Sequence, residues 1–180
     1  MKLVGIDLSL TATGWAVYSD NLASFGVIRD VPSGTHARLD YVRGKVLEQC
    51  LEADMVAIEG LAYDAYDTER ERAGQQWLVR HSLWKRGTKY FLVSPSTLKK
   101  YVCGHGGSKE RKITKQMVID DVFHNWGIET TDDNIADAVG LVHIAMALNF
   151  PQPIPPTKAQ AEVLKTLRAA NRWLPRTVTP

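Results

Sequence analysis

Two short apolar runs, each ending on an acid, constrain this chain more than any other feature of its sequence. The first run is LVGID, which ends on Asp7, and the second is MVAI, which is followed directly by Glu59. Continuous apolar runs of this length are typical of strands buried on both faces of a sheet. Ligands of open α/β sheets gather at the carboxyl ends of strands. Neighbouring parallel strands would therefore bring Asp7 and Glu59 together.

The rest of the hydrophobic pattern predicts an α/β fold. After the first run, residues 15–18 and 24–28 complete an antiparallel three-stranded meander. Residues 35–53 have helical spacing, and residues 90–93 form another buried strand. Further helices are expected over residues 73–86, 96–102, 109–126 and 132–148. The order βββαβαβααα predicts a mixed five-stranded sheet, an antiparallel meander plus parallel strands, with helices on both faces.

Length and chain punctuation predict one domain and an appendage. The chain has 180 residues, of which 44% are hydrophobic and 23% charged, which suits a single domain with a sizeable core. Prolines at positions 151, 153, 155 and 156 break regular structure after the last core helix. We predict a domain over residues 1–150, then a Pro-rich linker and a basic C-terminal helix or tail over residues 151–180.

Several classes of protein are excluded by simple patterns. No apolar run approaches the roughly 20 residues that cross a bilayer, and the N-terminus lacks the apolar region and cleavage site of a signal peptide. Cys50 and Cys103 lie far apart without CxxC spacing, which argues against a zinc knuckle or a disulfide framework. We therefore expect a cytoplasmic protein without a membrane partner.

The charge of the chain is segregated along its length. The net charge is only +2, yet residues 80–115 carry +9 and residues 158–180 carry +4, against −5 for residues 1–79 and −6 for residues 116–157. Glu110 is the one acid within residues 80–115. Solvated helices can produce such blocks, but a concentrated basic surface beside a concentrated acidic one also suits a protein that binds nucleic acid at an acidic site.

A third group of acids opens the last core helix. Asp133 and Asn134 lie about 40° and about 60° from Asp137 around a helix axis, whereas Asp132 lies about 140° away and is the better N-cap candidate. Carboxylates without His or Cys ligands suit a hard cation such as Mg²⁺ or Mn²⁺. Two such ions can activate water and stabilise the leaving oxygen of a phosphodiester. Each acid alone is equally typical of a turn, a loop or a helix terminus.

Taken in order, these motifs resemble the Holliday-junction resolvases of the RuvC type. GIDLSLTATGWAV at residues 5–17 resembles their opening strand and hairpin, and VAIE at 56–59 resembles their second acidic strand end. SPSTLKK at 94–100 with GHGGSK at 104–109 resembles their basic helix and glycine loop, and ADA at 136–138 their final catalytic helix. The resemblance implies an RNase H-like fold, a homodimer, and paired incision of four-way DNA junctions with two Mg²⁺ ions, for which Mn²⁺ can substitute.

Four positions of the resemblance carry the implied chemistry. Asp7, Glu59 and Asp137 match the family's first, second and last metal-binding acids and are the candidate catalytic residues. The family usually has an acid or His three residues before the last Asp, where this chain has Asn134. We expect Asp133, one position earlier, to supply the fourth catalytic carboxylate, with Asn134 assisting as a metal ligand.

The resemblance also implies residues that bind DNA and residues that form the dimer. The candidate phosphate-binding residues are Lys99, Lys100, Lys109 and Lys112. Tyr63 and Tyr66 follow the second acid, where the family places an aromatic wedge, and their rings can stack on unpaired bases. The helix over residues 73–86 resembles the dimer-forming region through Gly74, Trp77, Leu78, Leu83 and Trp84. Solubility, ordinary surface tyrosines and core packing are the corresponding alternatives.

Other functions stay open at this stage. A chain that has lost a ligand would be a non-catalytic module that binds branched DNA, and an RNA-processing nuclease could use the same fold. Actin-like ATPases and sugar kinases also follow a first strand with Gly-Ile-Asp, but they enclose a nucleotide between two copies of the domain, so we expect no nucleotide cofactor. The compact chain with its altered acid set resembles phage-encoded members, for which the location would be the host cytoplasm.

Overall fold

The predicted order of elements is confirmed by a computed structural model that describes residues 1–19, 22–61, 69–107, 112–152, 154–171 and 173–174. The strands are β1 (Leu3–Asp7), β2 (Thr13–Ser19), β3 (Leu22–Ile28), β4 (Met55–Glu59) and β5 (Lys89–Val93). The helices are α1 (Thr35–Gln49), α2 (Glu69–Lys85), α3 (Pro95–Cys103), α4 (Lys115–Trp126), α5 (Asp133–Asn149) and α6 (Lys158–Ala170).

The five strands form one mixed sheet in the order β3-β2-β1-β4-β5. Strand β1 lies at the centre, antiparallel to β2 and parallel to β4, which in turn is parallel to β5. In the register of β1 and β4, Ile6 lies opposite Ile58. The next residues along the two strands are Asp7 and Glu59, so both acids reach the same carboxyl edge of the sheet.

Helices cover both faces of the sheet, as the alternating pattern predicts. One face packs against α3, α4, α5 and α6, and the centre of this core is the apolar helix α5. The other face packs against α1 and α2, which contribute Val42, Val46, Val79 and Leu83. Strand residues alternate between these two cores, because successive side chains of a strand point to opposite faces.

Helix α5 approaches the sheet unusually closely because two strand positions are glycine. A Cβ atom at Gly14 would lie 2.0 Å from the carbonyl oxygen of Asn134. One at Gly5 would lie 2.2 Å from the carbonyl oxygen of Ala138. Real Cβ atoms cannot approach that closely, so any side chain there would push the helix outward. These glycines therefore let the beginning of α5 lie directly over the carboxyl end of β1 and the neighbouring start of β2.

Three helix boundaries differ clearly from the sequence prediction. Helix α2 begins at Glu69, four residues before the predicted start at residue 73. Helix α4 begins at Lys115 rather than near residue 109; residues 112–114 are not helical, and residues 108–111 lie outside the described residues. Thr114 is extended and its side chain accepts a hydrogen bond from the backbone N–H of Met117, which caps the helix. Helix α1 ends at Gln49, four residues before the predicted end at residue 53. Glu52 lies in the turn that follows the helix and adopts a left-handed conformation, which a helix does not allow.

The C-terminal helix α6 packs onto the same core as α3 and α5. Val163, Leu164 and Leu167 are buried there, and Thr157 and Gln160 form a capping box at its start. The predicted domain boundary at residue 150 stays a prediction.

Cys50 is buried, Cys103 is half-buried, and both are free thiols. Within the described ranges, no helix is long and apolar enough to cross a lipid bilayer.

Candidate active site

The parallel pairing of β1 and β4 brings Asp7 and Glu59 into contact. Asp7 is only 8% exposed, and the two side chains share a hydrogen bond. Burial and the charge of Glu59 raise the pKa of Asp7 well above its usual value. Burial also raises the pKa of Glu59, although the hydrogen bond with Asp7 opposes the rise. The parallel register therefore places two carboxyls side by side at the carboxyl edge of the sheet.

Helix α5 adds two more carboxylates to this pair. Burial, together with the charges of Asp7 and Asp133, raises the pKa of Asp137 to about 7, although Lys99 opposes the rise. Asp133 is the first residue of α5 and keeps 34% of its side chain exposed. The structure therefore brings Asp7, Glu59, Asp133 and Asp137 together, and we call these four residues the carboxylate cluster.

Asp132 and Asn134 bond to each other and to the helix start. The carboxylate of Asp132 accepts hydrogen bonds from the backbone N–H of Asn134 at 2.9 Å and from its side-chain amide at 2.8 Å. It also forms an ion pair with Arg29. Partial burial alone would raise the pKa of Asp132, but the hydrogen bonds from Asn134 and the charge of Arg29 lower it. Asp132 is thus the N-cap, as predicted, and Asn134 as an assisting metal ligand stays a prediction.

Three cationic side chains act on the cluster. Lys99, half-buried on α3, lowers the pKa of both Glu59 and Asp137. Arg72 in the first turns of α2 lowers the pKa of Asp7 and Glu59. Lys115 forms an ion pair with Asp133, whose hydrogen bond and charge raise the pKa of the lysine. The acidic edge of the sheet is therefore bordered by positive charge from three different helices.

Of the other candidate DNA-binding residues, the structure describes Lys100 and Lys112. Lys100 points to α6, where its ammonium lies 2.6 Å from Glu162. Lys112 is exposed ahead of α4. Tyr63, Tyr66 and Lys109 lie outside the described residues. Contacts of these five residues with DNA stay predictions.

Helix α2 presents an exposed aromatic stripe. Trp77 and Trp84 are 63% and 69% exposed and lie seven positions apart, so they share one face. The guanidinium of Arg80 stacks over Trp77 at 4.3 Å from the ring centroid, and the ring of His81 lies 5.8 Å from that of Trp84. Of the other residues singled out in this region, Leu83 is buried, Leu78 is half-buried and Gly74 is exposed.

The donor chemistry of the cluster fits a hard divalent cation. Carboxylate oxygens are the ligands that Mg²⁺ prefers, and a bound cation would offset the mutual repulsion of these buried carboxylates. As their side chains stand, no three acidic, His or Cys residues of the described chain converge into a ready metal centre. In this arrangement Asp7 contacts Glu59, and Asp133 forms an ion pair with Lys115.

Sequence reasoning missed three residues of this site. Arg72 and Lys115 lie 65 and 18 positions from Asp7 and Asp133, respectively, so nothing local links them to the acids. Gln76 is buried in α2, and its side-chain amide donates to the backbone carbonyl of Glu59 at 2.5 Å, which fixes the end of β4. The one available signal was that Lys115 closes the basic block over residues 80–115.

Comparison with solved structures identifies the fold. The structure resembles Thermus thermophilus RuvC in complex with a Holliday junction substrate, with a TM-score of 0.64 and 21% sequence identity over 79% of this chain and 90% of that chain. A second Thermus thermophilus RuvC structure gives a TM-score of 0.63 and 18% identity over 97% and 98% of the two chains.

A viral protein shares the fold as well. Fowlpox virus resolvase in complex with Holliday junction DNA gives a TM-score of 0.54 and 14% identity over 82% of this chain and 97% of that chain. No protein-family model matches the chain, and no curated protein matches it in sequence. At these identities the likeness establishes the fold, so the predicted RNase H-like architecture of the RuvC type is confirmed.

Proposed function

We propose that this protein is a structure-selective DNA endonuclease that resolves Holliday junctions by metal-dependent hydrolysis of phosphodiesters. The observation that carries the proposal is the carboxylate cluster itself, which lies at the carboxyl edge of two parallel strands in a RuvC-type fold. Burying mutually repelling carboxylates destabilises a fold, and such costly clusters are typical of functional sites, where a bound cation offsets the repulsion. The solved proteins of this fold that hold junction DNA support branched DNA as the substrate.

The cluster would hold Mg²⁺ ions, with two expected from the resemblance and Mn²⁺ as a substitute. Bound Mg²⁺ supplies acidity to a water molecule and positive charge to the phosphodiester. Asp7 interacts with both Glu59 and Asp133, so it would be the central ligand of the set. Glu59, Asp133 and Asp137 would complete the set, and hydrolysis would leave 5′-phosphate and 3′-hydroxyl ends.

The cationic residues beside the cluster have a separate task. Without bound cations the carboxylates repel a DNA phosphate, and Lys99, Lys115 and Arg72 supply the nearest positive charge. Lys99 is half-buried, so its position is more restricted than that of an exposed lysine. We propose that Lys99 binds the phosphate next to the cleaved bond and that the basic residues over 80–115 bind the adjoining backbone.

We also propose that the protein acts as a homodimer through the aromatic stripe on α2. Two tryptophans that are more than half exposed on one helix face are rare on a surface that faces only water. Aromatic side chains are enriched at protein interfaces, and a self-complementary stripe suits a two-fold contact. A dimer would provide two active sites for the two strands that must be cut.

A labelled four-way junction incubated with the protein in Mg²⁺ or in EDTA tests the proposal. We expect symmetric nicks in opposite arms in Mg²⁺ and none in EDTA. Asp7→Asn should retain junction binding and lose cleavage, whereas Asp120→Asn, which changes an exposed acid on α4, should cleave at the wild-type rate. Cleavage by Asp7→Asn at the wild-type rate would refute the assignment of the site.

A panel of substrates separates the alternatives. Binding of junctions without nicking in either Mg²⁺ or Mn²⁺ would favour a non-catalytic module that binds branched DNA. Faster cleavage of RNA–DNA hybrids than of junctions would favour an RNA-processing nuclease. Forks, flaps, linear duplex and single strands in the same panel measure how strictly the protein selects four-way junctions.

A further inference from the structure

Lys115 occupies a position that its own helix does not favour. It is the first residue of α4, directly after the cap Thr114, and 77% of its side chain is exposed. The N-terminus of a helix carries partial positive charge, so a lysine in the first turn is locally unfavourable. No acid occupies the first turn of α4. The compensation comes from another helix, because the ammonium of Lys115 forms an ion pair with Asp133.

The ion pair joins Lys115 to the most exposed part of the carboxylate cluster that the ion-pair geometry describes, the 34% exposed side chain of Asp133. Asp133 is the strongest partner of Lys115, and Asp137 and Asp7 follow as charges that also attract the ammonium. The same three carboxylates are proposed to hold metal ions. Lys115 therefore places a positive charge against one of the four carboxylates that are proposed to hold metal ions.

The carboxylates divide into two groups as a result. Asp7 and Glu59 share a hydrogen bond in the buried part of the cluster, whereas Asp133 is bonded to Lys115 in its exposed part. A divalent ion in the buried part would use Asp7 and Glu59 as ligands. An ion that uses Asp133 must instead displace an ammonium that stays covalently attached to the chain.

We propose that Lys115 is a built-in cation that occupies the place of the second metal ion in the DNA-free protein, so that the free site binds a single divalent ion. This inference rests on the proposed function, since it presupposes that the cluster binds divalent ions. An exposed lysine on a flexible stem can exchange a carboxylate for the phosphate of an arriving DNA strand. Until DNA arrives, the free enzyme therefore binds one divalent ion instead of two.

Counting bound Mn²⁺ in the DNA-free, full-length protein tests the proposal. Titration monitored by the electron paramagnetic resonance of free Mn²⁺ should give one bound ion for the wild type. Lys115→Met removes the charge and keeps most of the stem, so it should bind two ions, with a dissociation constant for the second ion at least about tenfold lower than in the wild type. Lys115→Arg keeps the charge and should bind one.

Two controls make the count specific. Lys45→Met removes an exposed lysine from the ion pair with Glu48 on α1, far from the cluster, and should leave one bound ion. The double variant Lys115→Met with Asp133→Asn lacks the carboxylate for the second ion and should also bind one. Circular dichroism of each variant verifies that the fold is intact, which we expect for a side chain as exposed as Lys115.

The possible outcomes separate this inference from the proposed function. Two ions in a wild-type protein that cleaves junctions, or one ion in Lys115→Met, would overturn the role of Lys115 alone. Absence of Mn²⁺ binding in every variant, together with uncut junctions, would overturn the metal-dependent function and this inference with it. One ion in the wild type and two in Lys115→Met supports both.

Discussion

Replacing Asp137 with asparagine should stabilise the metal-free protein at pH 8, even though it removes a proposed metal ligand. Asparagine has nearly the shape of a protonated aspartic acid but cannot ionise. Burial, with the charges of Asp7 and Asp133, raises the pKa of Asp137 to about 7 from 3.8. The ionised side chain is therefore unfavourable in the folded protein, and the substitution removes that cost.

The size of the effect depends on pH in a defined way. Between pH 4 and pH 7 the folded protein keeps a proton on Asp137 that the unfolded chain releases, so the free energy of unfolding falls as pH rises through this window. A pKa difference of about 3 units corresponds to about 4 kcal/mol. We expect Asp137→Asn to gain about 4 kcal/mol over the wild type at pH 8 and about 2 kcal/mol at pH 5.

Urea unfolding in EDTA at the two pH values measures this difference. Asp120→Asn removes the same charge from an exposed position on α4 and should shift stability equally little at both pH values. Adding Mg²⁺ at pH 8 should stabilise the wild type and have much less effect on Asp137→Asn, because a cation compensates a charge that the variant lacks. A gain that is the same at pH 5 and pH 8, or a net destabilisation at pH 8, would refute the reasoning.

Three further outcomes concern the packing, the dimer and the metal. Gly14→Ala should lower the free energy of unfolding by about 1–3 kcal/mol, since the added methyl would meet the backbone of α5 at 2.0 Å. Gly44→Ala adds a methyl in open space on α1 and should not lower the free energy of unfolding, which urea denaturation measures for both variants. Replacing Trp77 and Trp84 together by glutamate should give a monomer in analytical ultracentrifugation. Glutamate at the exposed Phe123 should leave the protein a dimer. A dimer that survives the tryptophan changes would contradict the proposed interface. Mg²⁺ should raise the melting temperature more at pH 8 than at pH 5.5, because binding displaces protons, and a pH-independent rise would argue against these carboxylates as ligands.

Much of the local structure follows from short-range chemistry that the sequence displays. Apolar runs of strand length gave the sheet, and Pro95 after Ser94 marks the start of α3, where Ser94 accepts a hydrogen bond from the backbone N–H of Thr97. The geometry of a helix alone separated Asp132 as the cap from Asp133 and Asp137. Where the prediction of α4 was wrong, the decisive interaction was a cap at Thr114, which competed with an apolar pattern that began earlier.

The sequence by itself determined the order of elements and the three acids that end β1, end β4 and face inward from α5. Those features depend on hydrophobic period and on residue type, which are local. Only the tertiary structure decided which charges meet, because Lys115 and Arg72 act on the acids from helices that packing brings to the sheet edge. The register of β1 with β4 sets the spacing of Asp7 and Glu59, and the absence of side chains at Gly5 and Gly14 lets α5 pack close to them. A sequence pattern does not give the distances between side chains on different elements, so the pairing of Asp133 with Lys115 was visible only in the folded protein.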